Sequence, residues 1–311
     1  MPDVRIGISG WRYKPWRGDF YPDDLVQRRE LEFASRAVNS IEINGSFYSL
    51  QTPERYQRWA DETPENFVFS VKGPRYVTHT RRLKEIHEPL ANFFASGLLT
   101  MRQKLGPILW QFPANFRYDH PLFDDFLSRL PRDTDQAVKL ARDSAERLKK
   151  PGYLDAEKGR PLRHAMEVRS DTFVTDEFVE LLRRHNVALV VADTAGKWPY
   201  AEDLTSDFVY IRLHGDKELY TSGYDEEALE RWKRRISTWS KGGQVKDARL
   251  IGAGDAPARK ERDVFCYFDN DVKVRAPYDA RTLLGKLGLD KHLQTTPGVS
   301  YEEQERQGAK Q

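Results

Sequence analysis

Apolar and polar positions along this chain repeat in two alternating periods. Short, mostly apolar runs recur eight times, at Val4–Ser9, Ser40–Asn44, Phe67–Lys72, Pro107–Phe112, His164–Arg169, Ala188–Asp193, Phe208–His214 and Val264–Asn270. Most of them end in a charged or amide residue. Between most of them lies a pattern of helical period, with apolar residues three and four apart. Leu90, Phe93, Phe94, Leu98, Met101 and Leu105 form one such stripe and predict a helix that stops at Gly106. Thr52-Pro53 and Thr175-Asp176-Glu177 read as helix starts, a capping hydroxyl followed by proline or acid. Leu229, Trp232, Ile236 and Trp239 mark a helix ending before Gly242-Gly243, and Pro277 opens the last one. Strand and helix in alternation predict a parallel sheet closed into a single (β/α)8 TIM-type barrel. The barrel is expected over residues 1–288, followed by a polar, unstructured tail at 289–311. Three connections depart from the repeat. Residues 194–207 leave room for a turn of helix only. Two charged inserts, 131–162 and 241–263, interrupt the pattern, the first with a helical piece expected around Val138–Leu148.

In such a barrel the active site sits at the carboxyl ends of the strands, so the run ends name the candidate residues. The outward face of each strand meets helices and is apolar. Ile41 and Ile43 facing out turn Glu42 and Asn44 inward. By the same alternation Ser70 and Lys72, Gln111, Glu167 and Arg169, Asp193, and Tyr210, Arg212 and His214 point in. The eighth run, with Tyr267, Phe268, Asp269 and Asn270, fits either phase. A set of charges so placed needs partners. A network of Glu42, Glu167 and Asp193 with Lys72, Arg169 and Arg212 is expected at one mouth.

Composition narrows the ligand. Of 311 residues, 50 are Lys or Arg and 48 Asp or Glu, a net charge of +2, which excludes a strongly basic nucleic-acid module but not a basic patch. The first loop, Gly10 to Pro22, interleaves aromatic and basic residues, and Phe47, Tyr48, Arg75, Tyr76, Trp198, Tyr200, Tyr220 and Tyr224 lie on other strand-end loops. Flat rings with arginine suit bases, sugars and phosphates. The single cysteine, Cys266, falls in a strand and reads as core. Neither a secretory leader nor a membrane-spanning run is evident, so a cytoplasmic, membrane-free protein is expected. Walker, HExxH, paired-cysteine and nucleophile-elbow patterns are absent.

The strings Ile6-Gly7-Ile8-Ser9-Gly10-Trp11, Phe20-Tyr21-Pro22, Ile41-Glu42-Ile43-Asn44-Gly45-Ser46-Phe47-Tyr48 and Trp110-Gln111-Phe112-Pro113 together resemble the YecE-like barrels, the domain of unknown function seventy-two. So do Glu167-Val168-Arg169, Ile211-Arg212-Leu213-His214-Gly215 and Tyr267-Phe268-Asp269-Asn270-Asp271. The resemblance implies a TIM-type barrel and brings no activity with it. Its likeness in shape to barrel endonucleases and sugar isomerases is an analogy of fold. The Gly45-Ser46 pair and the insert before Val264 depart from the family pattern.

Three functions fit these residues. The first is a barrel that acts on or binds a phosphorylated small molecule or nucleic-acid-like ligand, a phosphodiester or sugar-phosphate hydrolase if it is an enzyme. Glu42, Glu167 or Asp193 would act as base or metal ligand and His214 as proton donor. Trp11, Asn44, Tyr48, Lys72, Gln111, Arg169, Arg212 and Asn270 would bind the ligand. The second is a non-catalytic nucleic-acid scaffold using the first loop and the insert Arg142–Arg163. The third is a metal-dependent sugar isomerase or hydrolase. Cations at the mouth and a single inward histidine argue against a tightly held metal. No cofactor is therefore expected, with a divalent metal as the alternative.

Overall fold

The structure is a computed structural model, and it describes residues 2–144, 154 and 156–300. Eight strands close in sequence order into an all-parallel barrel: β1 (Val4–Ser9), β2 (Ser40–Ile43), β3 (Val68–Lys72), β4 (Leu105–Gln111), β5 (His164–Glu167), β6 (Ala188–Asp193), β7 (Phe208–Leu213) and β8 (Asp263–Phe268). The β1–β8 pairing, Val4 opposite Val264 through Ile8 opposite Phe268, removes both sheet edges. Around it run nine helices among the described residues: α1 (Glu30–Ala37), α2 (Gly45–Tyr48), α3 (Pro53–Asp61), α4 (His87–Ala95), α5 (His120–Arg129), α6 (Thr134–Ala141), α7 (Asp176–Arg184), α8 (Glu226–Ser240) and α9 (Arg275–Lys286).

The caps act as the sequence suggests. Thr52 Oγ1 accepts from Arg55 N at the start of α3, and Thr175 Oγ1 from Phe178 N at the start of α7. The helix expected to run to Gly106 ends earlier. Gly97, at φ +104°, breaks it, a 3-10 segment covers Leu98–Lys104, and Gly106 lies inside β4. A side chain cannot take that backbone conformation at Gly97 without strain, and a Cβ there would meet Pro53 Cα at 2.4 Å. No helix forms between Asp193 and Phe208.

Two layers of core result. Ile6, Ile8, Ile41, Ile43, Phe69, Val71, Trp110, Met166, Ile211 and Leu213 face the helices. Leu109, Ala165, Val190, Ala192, Phe208, Tyr210, Phe265 and Tyr267 fill the barrel interior. Strand β6 therefore has the opposite phase to the expected one: Ala192 points in, paired with Arg212, and Asp193 points out. Leu189-Val190-Val191-Ala192 is apolar on both faces, as in strands buried on both sides, so alternation carried no phase information there. On β8, Tyr267 pairs with the inward Arg212, which puts Asp269 on the inner face and Asn270 on the outer.

The interior is closely fitted at Gly7, where a Cβ would lie 1.8 Å from the Ser40 carbonyl oxygen on the neighbouring strand. Gly7→Ala is expected to cost about 1–3 kcal/mol of stability, because a backbone atom, not a side chain, must yield. Urea unfolding measures it, and an unchanged midpoint would show that β1 and β2 do not approach this closely.

The inserts are tied to the barrel. Buried Asp203 accepts from Ile251 N at 2.8 Å and Gly252 N at 2.9 Å, and buried Glu202 binds Arg235 at 2.6 Å. In the first insert a helix occupies Thr134–Ala141 and so starts earlier than the expected Val138–Leu148; residues 145–153 lie outside the described residues. Residues 289–300, in the stretch expected as a tail, form no helix or strand but are held to the barrel. Gln294 N donates to Arg36 O, Thr295 Oγ1 to Phe33 O and Gly298 N to Phe20 O, each at 2.9 Å, docking this segment on α1 and the first loop. Residues 301–311 lie outside the described residues. Among the described residues no helix is long and apolar enough to cross a membrane.

Candidate functional site

The inward residues at the strand ends meet on Arg212. This guanidinium is 1% exposed and binds three carboxylates: Glu42 at 2.9 and 3.1 Å, Glu167 at 2.5 Å and Asp269 at 3.0 Å. Glu42 also accepts from Ser9 Oγ at 2.9 Å and Tyr210 OH at 2.6 Å. Glu167 takes a second cation, Arg169, whose Nε lies 2.7 Å from Oε1. His214 Nδ1 stands 2.9 Å from Asp269 Oδ2. Burial alone would raise the Glu167 carboxyl, but the charges of Arg169 and Arg212 outweigh it and hold it well below the usual carboxylate range. Burial opposes ionisation of Asp269 too, and Arg212 with His214 reverses the sign in the same way.

Above this layer the barrel opens into a cavity of about 640 Å³. Its wall includes Tyr13, Asn44, Tyr48, Lys72, Arg75, His79, Gln111, Arg169, Trp198, Tyr220, Asp269 and Asp271, with Arg212 at its base. Arg169 is held on two sides, by Glu167 through Nε and by the Trp198 ring 3.8 Å from its guanidinium carbon. Among the described residues its two Nη groups have no partner. Lys72 is 8% exposed, with Nζ 4.3 Å above the Phe47 ring. Burial and the charge of Arg212 bring its ammonium down to about 8. Burial and the adjacent charge of Asp269 lift Asp271 to about 6, the reverse of Asp269 itself. Burial and the cations Lys72 and Arg75 lower His79 to about 4, so its ring is neutral near pH 7.

Measured against the sequence reading, Glu42, Lys72, Glu167, Arg169, Arg212 and His214 converge at the mouth, and Asp193 does not. Asp193 lines a separate cavity of about 490 Å³ with Asp216, Arg231 and Trp232, outside the barrel beside α8. Glu42, Glu167 and His214 lie beneath the mouth cavity, at most 1% exposed, and are not among its lining residues. In this structure the two carboxylates are held by Arg212, and His214 lies beside Asp269. Asn270 does not join them: its Nδ2 binds Ser222 O at 3.0 Å and Asp279 Oδ2 at 2.8 Å, behind β8. Trp11 is 7% exposed and packs edge-on against Trp59 at 5.2 Å, and Trp16 is fully buried. Trp11 and Trp16 are thus packed into the interior instead of forming a stacking platform. Asn44, Tyr48 and Gln111 do line the cavity; Tyr48 is 72% exposed at the rim, and Asn44 Oδ1 is buried with no partner.

The residues missed were Tyr13, His79, Asp269 and Asp271. The two aspartates were hidden by the ambiguous phase of β8. The others sit on loops, where no alternation applies. Among the described residues no three His, Cys, Asp or Glu side chains are grouped to hold a metal ion.

The family model described as "Protein of unknown function DUF72" matches residues 5–304. The chain belongs to the DUF72 family. It is 22% identical over 240 residues to the UPF0759 protein YecE of Escherichia coli K12, spanning 76% of this chain and 82% of that protein. It is 28% identical over 121 residues to the UPF0759 protein YunF of Bacillus subtilis, 36% of this chain and 41% of that one. A DUF72 family protein of Thermotoga maritima superposes with a TM-score of 0.69 at 23% identity, covering 92% of this chain and 99% of the other. One from Enterococcus faecalis superposes with a TM-score of 0.62 at 15% identity, covering 93% and 99%. These likenesses establish the fold, and the family's name assigns no activity.

Proposed function

We propose that the mouth of this DUF72 barrel binds and acts on a phosphorylated small molecule. One observation carries the reading: Arg169 presents two unpartnered Nη groups to the cavity from a guanidinium already fixed by Glu167 and Trp198. A fork held rigid before the ligand arrives loses little entropy on binding, and its geometry matches two oxygens of a phosphoryl group. Lys72 and Arg75 add positive charge on the same wall. Three carboxylates that would repel an anion are paired with arginine, Glu42, Glu167 and Asp269.

A cavity of about 640 Å³ suits a small ligand. An extended nucleic acid strand needs exposed rings for successive bases, and Trp11 and Trp16 are buried. Asp271, titrating at about 6 beside Tyr13, is the cavity's group for proton transfer at neutral pH, which favours an enzyme over a scaffold.

Calorimetric titration with a sugar phosphate, a nucleoside monophosphate and a short oligonucleotide tests the reading. The monomeric esters should bind, and Arg169→Gln should weaken them by about tenfold or more, the loss of a charge-assisted bidentate contact. Asp193→Asn, in the other cavity, should leave affinity unchanged. Binding of the oligonucleotide alone, falling steeply with salt, would move the reading to nucleic acid. Equal affinity in the Arg169 variant would refute it.

A further inference from the structure

We propose that the ε-amino group of Lys72 forms a Schiff base with the carbonyl carbon of a phosphorylated aldehyde or ketone bound in the mouth cavity. The proposal rests on the phosphate-binding reading above and adds the reacting group.

Lys72 is the last residue of β3, and the closed barrel gives it no route to bulk water except through the cavity it lines. It is the one buried lysine among the described residues. Lysines that are buried for structural reasons are paired with a carboxylate, because an unpaired ammonium is costly to desolvate. Among the described residues no carboxylate lies within ion-pair distance of Nζ; Glu42, Glu167 and Asp269 are all turned onto Arg212. Nζ instead sits over the Phe47 ring, which provides apolar contact and weak attraction to the cation. Desolvation and the nearby Arg212 then favour the free amine, so a nucleophilic fraction exists near neutral pH.

The chemistry closes without a further reagent. The amine lone pair attacks the carbonyl carbon, and the C=O π pair moves to oxygen, which takes up a proton. The nitrogen loses one proton. Departure of the hydroxyl with a second proton, as water, leaves the C=N bond to Lys72. Asp271 lines the same cavity and exchanges protons near neutrality, so it supplies the proton to the leaving hydroxyl and recovers one on hydrolysis. Arg169, on that wall, holds the phosphoryl end. No electron acceptor or donor is consumed.

The test uses the full chain and two probes, pyridoxal 5′-phosphate and unphosphorylated pyridoxal, each reduced with borohydride and located by peptide mass mapping. Lys72 is expected to be modified by pyridoxal 5′-phosphate roughly tenfold or more faster than the exposed lysines, from its larger share of free amine. Inorganic phosphate should slow that labelling. Lys72→Met should lose the adduct at that peptide while keeping its circular dichroism. Should that variant fail to fold, the wild-type map decides. Equal labelling of Lys72 by both aldehydes, with no protection by phosphate, keeps the Schiff base and removes the phosphate reading. Labelling confined to exposed lysines, with Lys72 untouched by either probe, overturns the proposal even where phosphate esters bind.

Discussion

Arg212→Met will lower the free energy of unfolding by about 3–5 kcal/mol, the range expected when one partner leaves a buried ion cluster. The arginine is 1% exposed and makes hydrogen bonds to Glu42, Glu167 and Asp269 within 2.5–3.1 Å. Methionine fills most of the volume, so little of the loss comes from a cavity. What remains is three carboxylates at the barrel mouth with one guanidinium, Arg169, in place of two. Glu42 keeps Ser9 and Tyr210 as donors, and Glu167 keeps Arg169; Asp269 keeps the His214 ring at 2.9 Å. Removing charge as well should therefore recover part of the loss: the double variant Arg212→Met, Asp269→Asn is expected to be more stable than Arg212→Met alone. Urea denaturation of the wild type and both variants measures this. A loss below about 1 kcal/mol would mean that water enters the mouth and solvates the carboxylates.

The same carboxylates set an acid limit. Glu167 and Asp269 titrate well below their values in an unfolded chain, which are near 4. As pH falls below about 4, the unfolded chain binds protons that the folded protein refuses. Stability should then drop by about 1.4 kcal/mol per pH unit for each group. Between about pH 6.5 and 4 four other groups oppose one another. Asp271 and Asp279, raised to about 6 chiefly by burial, keep protons that the unfolded chain releases, so acidification in this window adds stability. His164, held by burial to about 3, and His79, to about 4, refuse protons that the unfolded chain accepts, so acidification removes it. Two gains and two losses nearly cancel. The expected profile of urea midpoint against pH is flat from about 6.5 to 4 and steep below, and Asp269→Asn should make the acid limb shallower. A steady decline from pH 7 to 5 would show that the histidines dominate and that the two raised aspartates are freely hydrated.

The alternation of short apolar runs with helical periods was enough to specify the barrel, because each strand must bury an outer face against helices, and that requirement is written locally in every repeat. It also identified the inward charges on β2, β3, β5 and β7, where polar and apolar residues alternate toward the carboxyl ends of the strands. Where a strand is apolar on both faces, as in β6, the local pattern carries no direction, and only pairing with β7 turned Ala192 in and Asp193 out. The phase of β8 likewise waited on its register with β7, which delivered Asp269 to the cluster.

Which charges face a ligand was decided by tertiary structure alone. Glu42, Glu167 and Arg212 have the inward phase that a catalytic group needs, but depth along the barrel axis and mutual distance determine whether they touch solvent or one another. Packed within hydrogen-bonding range, they neutralise each other and become the floor. Arg169, Lys72 and Asp271, one layer higher, keep free atoms and face the cavity. The aromatic first loop shows the same limit: its composition suits stacking on a ligand and packing into the interior equally well, and only the folded loop, with Trp11 against Trp59 and Trp16 enclosed, chooses the second. Periodicity is a local property of the chain, whereas charge pairing and enclosure depend on which distant residues arrive at the same place.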